Sequence, residues 1–234
     1  MSTLLYRLYR WIYSFVRGGA GAKARHELRY WKARKSEEGA LSYGHYEYFF
    51  TTHFGLTRDF YKGKRILDVG CGPRGSLEWA DMTAERLGID PLANEYLKLG
   101  AKEHRMRYVP ACSEEMPFPD CYFDVVSSFN SLDHVDNLDR TIEEITRVAA
   151  PGGLFLFLAD VNHDPTTCEP LSFGWDVTEK FLPRFAILEE RHYEKSAGGI
   201  YENILADIPY DHGNGTQRPG IVSVRFMKME EYDA

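Results

Sequence analysis

An α/β architecture built on a doubly wound, mostly parallel sheet is the fold class this sequence predicts, and three observations predict it. A short apolar run, Arg65-Ile66-Leu67-Asp68-Val69, stops abruptly at a GxGxxG turn formed by Gly70, Gly72 and Gly75; this is the pattern of a buried parallel strand that turns at once into the next element. Further strand-like runs alternate with segments of helical length, as a parallel sheet with right-handed crossovers requires. A length of 234 residues with 44% hydrophobic content suits one such domain with additions.

The first element is an N-terminal arm. Leu4, Leu5, Leu8, Trp11, Ile12, Phe15 and Val16 fall on one helical face, Arg7, Arg10, Ser14 and Arg17 on another, and Gly18-Gly19 is expected to end the helix. The segment is too short and too charged to span a bilayer or to serve as a signal-peptide core. Its apolar stripe is read either as an in-plane anchor on a membrane surface or as a face packed on this domain or on a second copy of the chain. Residues 1–35 form this basic arm and 36–234 the main domain. After a polar, basic stretch comes an aromatic run with Tyr43, His45, Tyr46, Tyr48, Phe49, Phe50, His53 and Phe54. Phe49, Phe50 and Phe54 are assigned to the core. Tyr43, His45 and Tyr46, each with a polar end, are the candidates for a pocket.

Behind the glycine turn a helix is expected over Leu77–Arg86, then a strand ending at Leu87-Gly88-Ile89-Asp90. Strands are predicted at Arg107–Val109, Asp124–Phe129 and Leu154–Ala159, with an amphipathic helix over Leu138–Val148 that starts after Asp136-Asn137 and stops before Pro151-Gly152-Gly153. A short helix over Phe173–Leu182 and strands over Phe185–Tyr193 and Ile221–Met229 follow. Residues 194–220 make a long link carrying Tyr201, read as a lid or binding element.

Composition excludes several classes. Cys71, Cys112, Cys121 and Cys168 show no metal-ligand or disulfide spacing, so no metal site is expected and the thiols are read as reduced and cytoplasmic. Nine Lys or Arg and one acid fall within residues 1–35, while the whole chain has a net charge of −7. The body is therefore strongly acidic, and a nucleic-acid partner is not expected.

Asp68, two residues before the first glycine, would repel a dinucleotide pyrophosphate but suits a ligand bearing a cation. Asp90 ends the next strand, where a carboxylate accepts both ribose hydroxyls. With these, the ordered set Asp68-Val69-Gly70-Cys71-Gly72, Asp90, Met116-Pro117-Phe118-Pro119-Asp120, Phe123-Asp124-Val125-Val126, Leu132-Asp133-His134-Val135 and Arg147-Val148 followed by Pro151-Gly152-Gly153 resembles the class I S-adenosylmethionine-dependent methyltransferases, in particular their ubiquinone and menaquinone branch. The resemblance runs from about residue 64 to 160. It implies a Rossmann-like, seven-stranded sheet closed by an antiparallel last strand, and S-adenosyl-L-methionine as cofactor. It also implies Asp68, Gly70, Cys71, Gly72, Asp90, Pro91 and Asn130 around that cofactor, with Ser113 or Glu114 beside adenine. Two departures stand out: Arg74 occupies a place where the family often has glycine, and Cys112 replaces the acid that commonly contacts adenine.

On the acceptor side His163 and, second, His134 are the candidate bases, with Asp160 and Tyr201 as further substrate candidates; for both histidines a cap or a polar surface loop is the plainer reading. Asn130-Ser131-Leu132 lacks the signature that base-methylating enzymes place there. The aromatic run over residues 45–56 resembles that of enzymes of surface-polysaccharide or glycolipid assembly, which implies an O-methylated sugar hydroxyl on a glycan, free or lipid-linked. A quinone or polyketide-type small molecule is the alternative acceptor. A non-catalytic S-adenosylmethionine-binding partner and an NAD-linked oxidoreductase are the readings from other classes.

Overall fold

A computed structural model of the chain describes residues 18–42 and 44–230. The predicted anchor over residues 4–17 and Tyr43 lie outside the described residues. A seven-stranded sheet in the order β3-β2-β1-β4-β5-β7-β6 organises the molecule, with β1 at Arg65–Val69, β2 at Glu85–Ile89, β3 at Arg107–Val109, β4 at Phe123–Phe129, β5 at Ala149–Val161, β6 at Phe185–Glu194 and β7 at Gly220–Lys228. The strands β1 to β5 are parallel to one another and β7 runs antiparallel to both β5 and β6. The mostly parallel sheet and its antiparallel last strand are thus as expected.

Why the central strands read as unbroken apolar runs is clear from their two buried faces. Along β5, Phe155, Phe157, Ala159 and Val161 enter one core, while Leu154, Leu156 and Leu158 enter the other, as the alternation of a pleated strand dictates. The first core is closed by Ile142, Ile145 and Val148 of helix α4, Leu138–Val148, and the second by Phe49 and Phe50 of helix α2, Tyr46–Phe50. Asn137 caps α4 by accepting the Arg140 amide at 3.0 Å. Near its other end Arg147 donates to Glu144, to the carbonyls of Met116 and Phe118, and to Asp120. The Met-Pro-Phe-Pro-Asp motif and the Arg-Val motif therefore meet in one bonded corner.

The helix expected over Leu77–Arg86 does not form; the chain makes turns there and enters β2 at Glu85. Geometry explains the correction. Nine residues separate Gly75 from Glu85, and a helix of nine residues advances only about 13 Å, while the crossover must return along a five-residue strand, about 17 Å. Only a more extended path reaches. A 3₁₀ stretch, Trp175–Phe181, takes the place of the short helix expected over Phe173–Leu182. Helix α3, Ala93–Lys98, follows β2, and within the link 194–220 a helix, α5 at Ile200–Ala206, is present. Among the described residues no helix is long and apolar enough to cross a membrane.

The helix α1, Gly18–Glu38, begins at the glycines expected to stop one and runs without a break past residue 35. It is attached to the carboxyl end of the sheet at several points. Arg74, 3% exposed, grips Glu38 with two bonds of 2.6 and 2.8 Å and lies over the Trp31 ring. Lys35 donates to the Leu99 carbonyl, and Lys23 donates to the His134 carbonyl. Thus Arg74, the departure from glycine noted in the sequence, is where the loop is tied to α1.

Candidate active site

The carboxyl ends of β1, β2 and β4 surround one cavity of about 910 Å³ that α1 roofs. Gly70 takes a left-handed conformation, φ +71°, and any side chain there would lie 2.3 Å from the Ser131 Cβ. Glycine is therefore required by close packing of the β1 and β4 loops. Gly72, at φ +55°, presents its open side to Trp31 of α1. Cys71 is buried, its thiol pushed up by burial, and it packs against Gly88, so it serves as a filler.

Two carboxylates mark this end. Asp68 accepts from Ser127 Oγ at 2.7 Å and from Ser76 Oγ; Asp90 accepts the Leu92 amide at 2.8 Å and the Gly72 amide at 3.3 Å. Burial pushes both up to about 6, against the hydrogen bonds that favour the charged forms. Asn130, at φ +55°, also lines the cavity, and its buried Oδ1 has no hydrogen-bond partner among the described residues. Pro91 and Ser113 line the wall as well; Ser113 Oγ lies 3.1 Å from Thr141 Oγ1. Glu114 is largely engaged elsewhere, since its Oε1 accepts the amides of Asp136 and Asn137. A cradle of glycines, two buried acids and an unpaired amide oxygen fits a ligand with an ammonium group and a ribose diol.

The opposite wall is aromatic. Tyr201 of α5 reaches across to α2 and places its ring 5.2 Å from His45, 5.5 Å from Tyr46 and 4.6 Å from Phe49. Burial lowers the His45 pKa. His134 and Glu169 border the same cavity from the loops after β4 and β5. His163 lies on a separate shallow depression with Asn162, Asp164 and Gln217, and its Nε2 turns inward toward Asp133 at 3.8 Å. Asp160 is paired with Lys195, and it does not border the main cavity. The sequence reading missed the roof, Glu27, Trp31 and Arg34, together with Tyr96, Cys168 and Glu169. A signal for α1 was present in Arg74, which needed an anion, and in the Glu27/Trp31 pair four residues apart, bonded at 2.7 Å.

Comparison with known proteins agrees with this geometry. Residues 67–157 match a methyltransferase-domain family model. A sterol 4-C-methyltransferase of Caenorhabditis elegans is 38% identical over 112 residues, 44% of this chain and 33% of that protein. A ubiquinone biosynthesis O-methyltransferase of Pseudomonas putida is 34% identical over 131 residues, 52% of this chain and 55% of that one. The chain thus spans between a third and about half of the length of these relatives. Among solved structures, an S-adenosylmethionine-dependent methyltransferase described as putative, from Listeria monocytogenes, superposes with a TM-score of 0.57 at 16% identity, over 80% of this chain and 100% of that one; at that identity the likeness speaks for the fold. Taken with the glycine cradle and its two acids, these matches identify residues 67–157 as a methyltransferase domain, set in a fold of the class I S-adenosylmethionine-dependent kind.

Proposed function

We propose that this protein transfers a methyl group from S-adenosylmethionine to an oxygen of a small, largely apolar, ring-bearing acceptor of the quinone or phenol kind. One observation carries the reading: a single cavity joins the Asp68/Asp90 end to the wall of His45, Tyr46, Phe129 and Tyr201. Its volume lies toward the upper end of the about 300–1,000 Å³ typical of ligand sites, which leaves room for cofactor and acceptor side by side. The sterol and ubiquinone enzymes among its relatives act, by their names, on lipophilic ring systems. That favours the alternative acceptor over the sugar, and no observation among the described residues favours the glycan.

The bound cofactor supplies an electrophilic methyl on a sulfonium. Gly70 and Gly72 let the main chain come close, Asp68 meets the ammonium charge, and Asp90 accepts the ribose hydroxyls. Pro91 and Ser113 border the adenine side. His45, Tyr46 and Tyr201 hold the acceptor ring, since flat aromatic contacts orient a ring with little loss of entropy. His134 and Glu169 are placed to receive the acceptor's proton. Trp31 and the α1 roof keep water from the reacting end.

The test is methyl transfer from labelled S-adenosylmethionine to a panel of catechols, quinols and sugars. Product on the aromatic acceptors supports the proposal; product on sugars alone would restore the glycan reading. No product anywhere, with S-adenosylhomocysteine still bound, would favour the non-catalytic partner.

The raised carboxylates predict a pH effect of opposite sign on binding and on stability. Ligand binding needs Asp68 and Asp90 ionised, so affinity for S-adenosylhomocysteine is full above about pH 6. It is expected to fall as pH drops through that value, by up to about tenfold per pH unit for each carboxylate. The ligand-free fold behaves in the reverse way. Because each folded-state pKa lies above its unfolded value, these two groups add stability as pH falls from about 6 toward the ordinary carboxylate range. Calorimetric titrations and thermal melts between pH 5 and 8 would check both, and an affinity independent of pH would rule out the assigned ionic roles.

A further inference from the structure

Asp133, His134, Glu169 and His163 meet where the loops after β4 and β5 face each other. Asp133 is only 1% exposed, yet neither of its carboxylate oxygens has a hydrogen-bond partner among the described residues. Carboxylates so deeply buried are ordinarily bonded or bound to a cation. His134 Nε2 stands 3.9 Å from Asp133 Oδ1 and 3.8 Å from Glu169 Oε1. On the other side of the carboxylate, His163 Nε2, itself buried and without a hydrogen bond, stands 3.8 Å from Asp133 Oδ2.

These separations are informative because they are too long for hydrogen bonds, which end near about 3.2 Å. They come close to the edge of a ligand tetrahedron with bonds of about 2.1 Å, an edge of about 3.4 Å. One donor atom each from Asp133, His134 and Glu169 falls within 4.8 Å of the others. The three groups thus offer donor atoms to one small volume, at His–carboxylate separations that are also within ion-pair range.

We propose that Asp133, His134 and Glu169 form a binding site for a divalent first-row transition cation, of which Zn2+ is the type, with His163 holding the second oxygen of Asp133. The donor set selects the class of ion. One imidazole with two carboxylates suits zinc, cobalt, manganese or iron, whereas magnesium and calcium sites are built from oxygen alone. The two ligand carboxylates also balance a charge of two. His163 then plays the part of the outer partner that fixes a ligand's orientation. Its backbone fixes it in turn: its Nδ1 lies 3.0 Å from the Asp164 carbonyl, and its own carbonyl accepts from Ser172 Oγ at 2.6 Å. Lys23 of α1 grips the His134 carbonyl, so the roof and this site are linked.

Three protein ligands leave a position open, as in catalytic rather than structural sites. That position faces the cavity, because His134 and Glu169 border it together with Thr166 and Cys168. The inference deepens the proposed function and rests on it for this last step: an acceptor hydroxyl in the open position would lose its proton more readily. His134 and Glu169 then act as ligands in place of the proton-accepting role given to them above: the acceptor's proton leaves to solvent through the cavity, and its oxygen, activated by the cation, takes the methyl group.

The experiment uses the full chain after dialysis against a chelator. Zn2+ is titrated calorimetrically, and Co2+ by visible absorption, into the wild type, His134→Ala, Glu169→Gln and, as a control, His192→Ala, whose imidazole on the edge strand β6 bonds to Glu190 and His212. Thermal melts verify that each variant is folded. The expected result is one equivalent bound by the wild type and the control, at least tenfold weaker in both site variants, with a Co2+ spectrum of low coordination number. Absence of binding, or equal affinity in all four proteins, would overturn the proposal. Titration of the metal-free wild type with S-adenosylhomocysteine is read separately: metal bound but no S-adenosylhomocysteine bound would sink the proposed function and leave the cation site standing.

Discussion

Replacing Asp90 with alanine is expected to weaken S-adenosylhomocysteine binding at least ~100-fold while leaving the protein folded. Each hydrogen bond to a charged group contributes about 1.5–3 kcal/mol. If the carboxylate accepts two ribose hydroxyls, the loss is about 3–6 kcal/mol, or roughly two to four orders of magnitude in affinity. The fold should tolerate the change, because ionised Asp90 is itself held against its burial. What alanine removes from the protein is the acceptor for two amides, Leu92 and Gly72, a modest loss at a loop open to the cavity. Asp90→Asn keeps one acceptor oxygen and should fall between wild type and alanine. Calorimetry with S-adenosylhomocysteine, alongside NADH, would decide the matter. Unchanged affinity in Asp90→Ala would remove the ribose role, and tight binding of NADH would reopen the dinucleotide reading.

Much of this end of the cavity was legible in the sequence, because strand ends and glycine turns are local. Asp68 and Asp90 sit at the ends of apolar runs whose partners need not be known, and the topology rule for parallel sheets then points to both as lining the cavity at the strands' carboxyl ends, as they do. Asn137 and Arg147 likewise announce the limits of α4 within a few residues. The helix after Gly75 was misread for a reason that is also physical. Propensity allowed it, but the length of the return path to β2 did not, and that length depends on where a second strand begins.

What could not be read was anything assembled across large sequence separations. Arg74 needed a partner, but Glu38 lies 36 residues earlier in a segment whose own pattern gives no docking face. The cation cluster combines Asp133 and His134 with Glu169, which no local pattern distinguishes from other surface acids. His163 and His134 both follow strands, and the sequence ranks His163 first as base. The backbone turns its ring toward Asp133 and away from the main cavity, a choice set by the left-handed turn at Asn162. Tyr201 was named as a substrate candidate from the sequence, and the helix inside residues 194–220 explains how it comes to line the cavity beside His45.

Gly70→Ala is expected to cost about 2–5 kcal/mol and, with it, most cofactor affinity. Two terms add. A left-handed residue with a side chain costs about 1–2 kcal/mol, and the new methyl would sit 2.3 Å from Ser131 Cβ and 2.6 Å from its Oγ, an overpacking typically worth about 1–3 kcal/mol. Ser131 cannot swing aside freely. Its hydroxyl donates to the Val69 carbonyl at 2.7 Å and lies 2.6 Å from Ser128 Oγ. The loop after β4 must therefore move, and that loop carries Asn130, Asp133 and His134. Gly152→Ala separates the two terms, since Gly152 has φ +70° but nothing within 4 Å of an added Cβ. It should lose only the conformational part and keep its cofactor affinity. Adding Ser131→Gly to Gly70→Ala should in turn recover about 1–3 kcal/mol of the coupling between the two positions, beyond what Ser131→Gly alone would lead one to expect. Melting temperatures of the four variants and their affinities for S-adenosylhomocysteine test this directly. If Gly70→Ala and Gly152→Ala prove equally mild, the close approach of the two loops is not what glycine serves at Gly70, and the cradle must draw its shape from elsewhere.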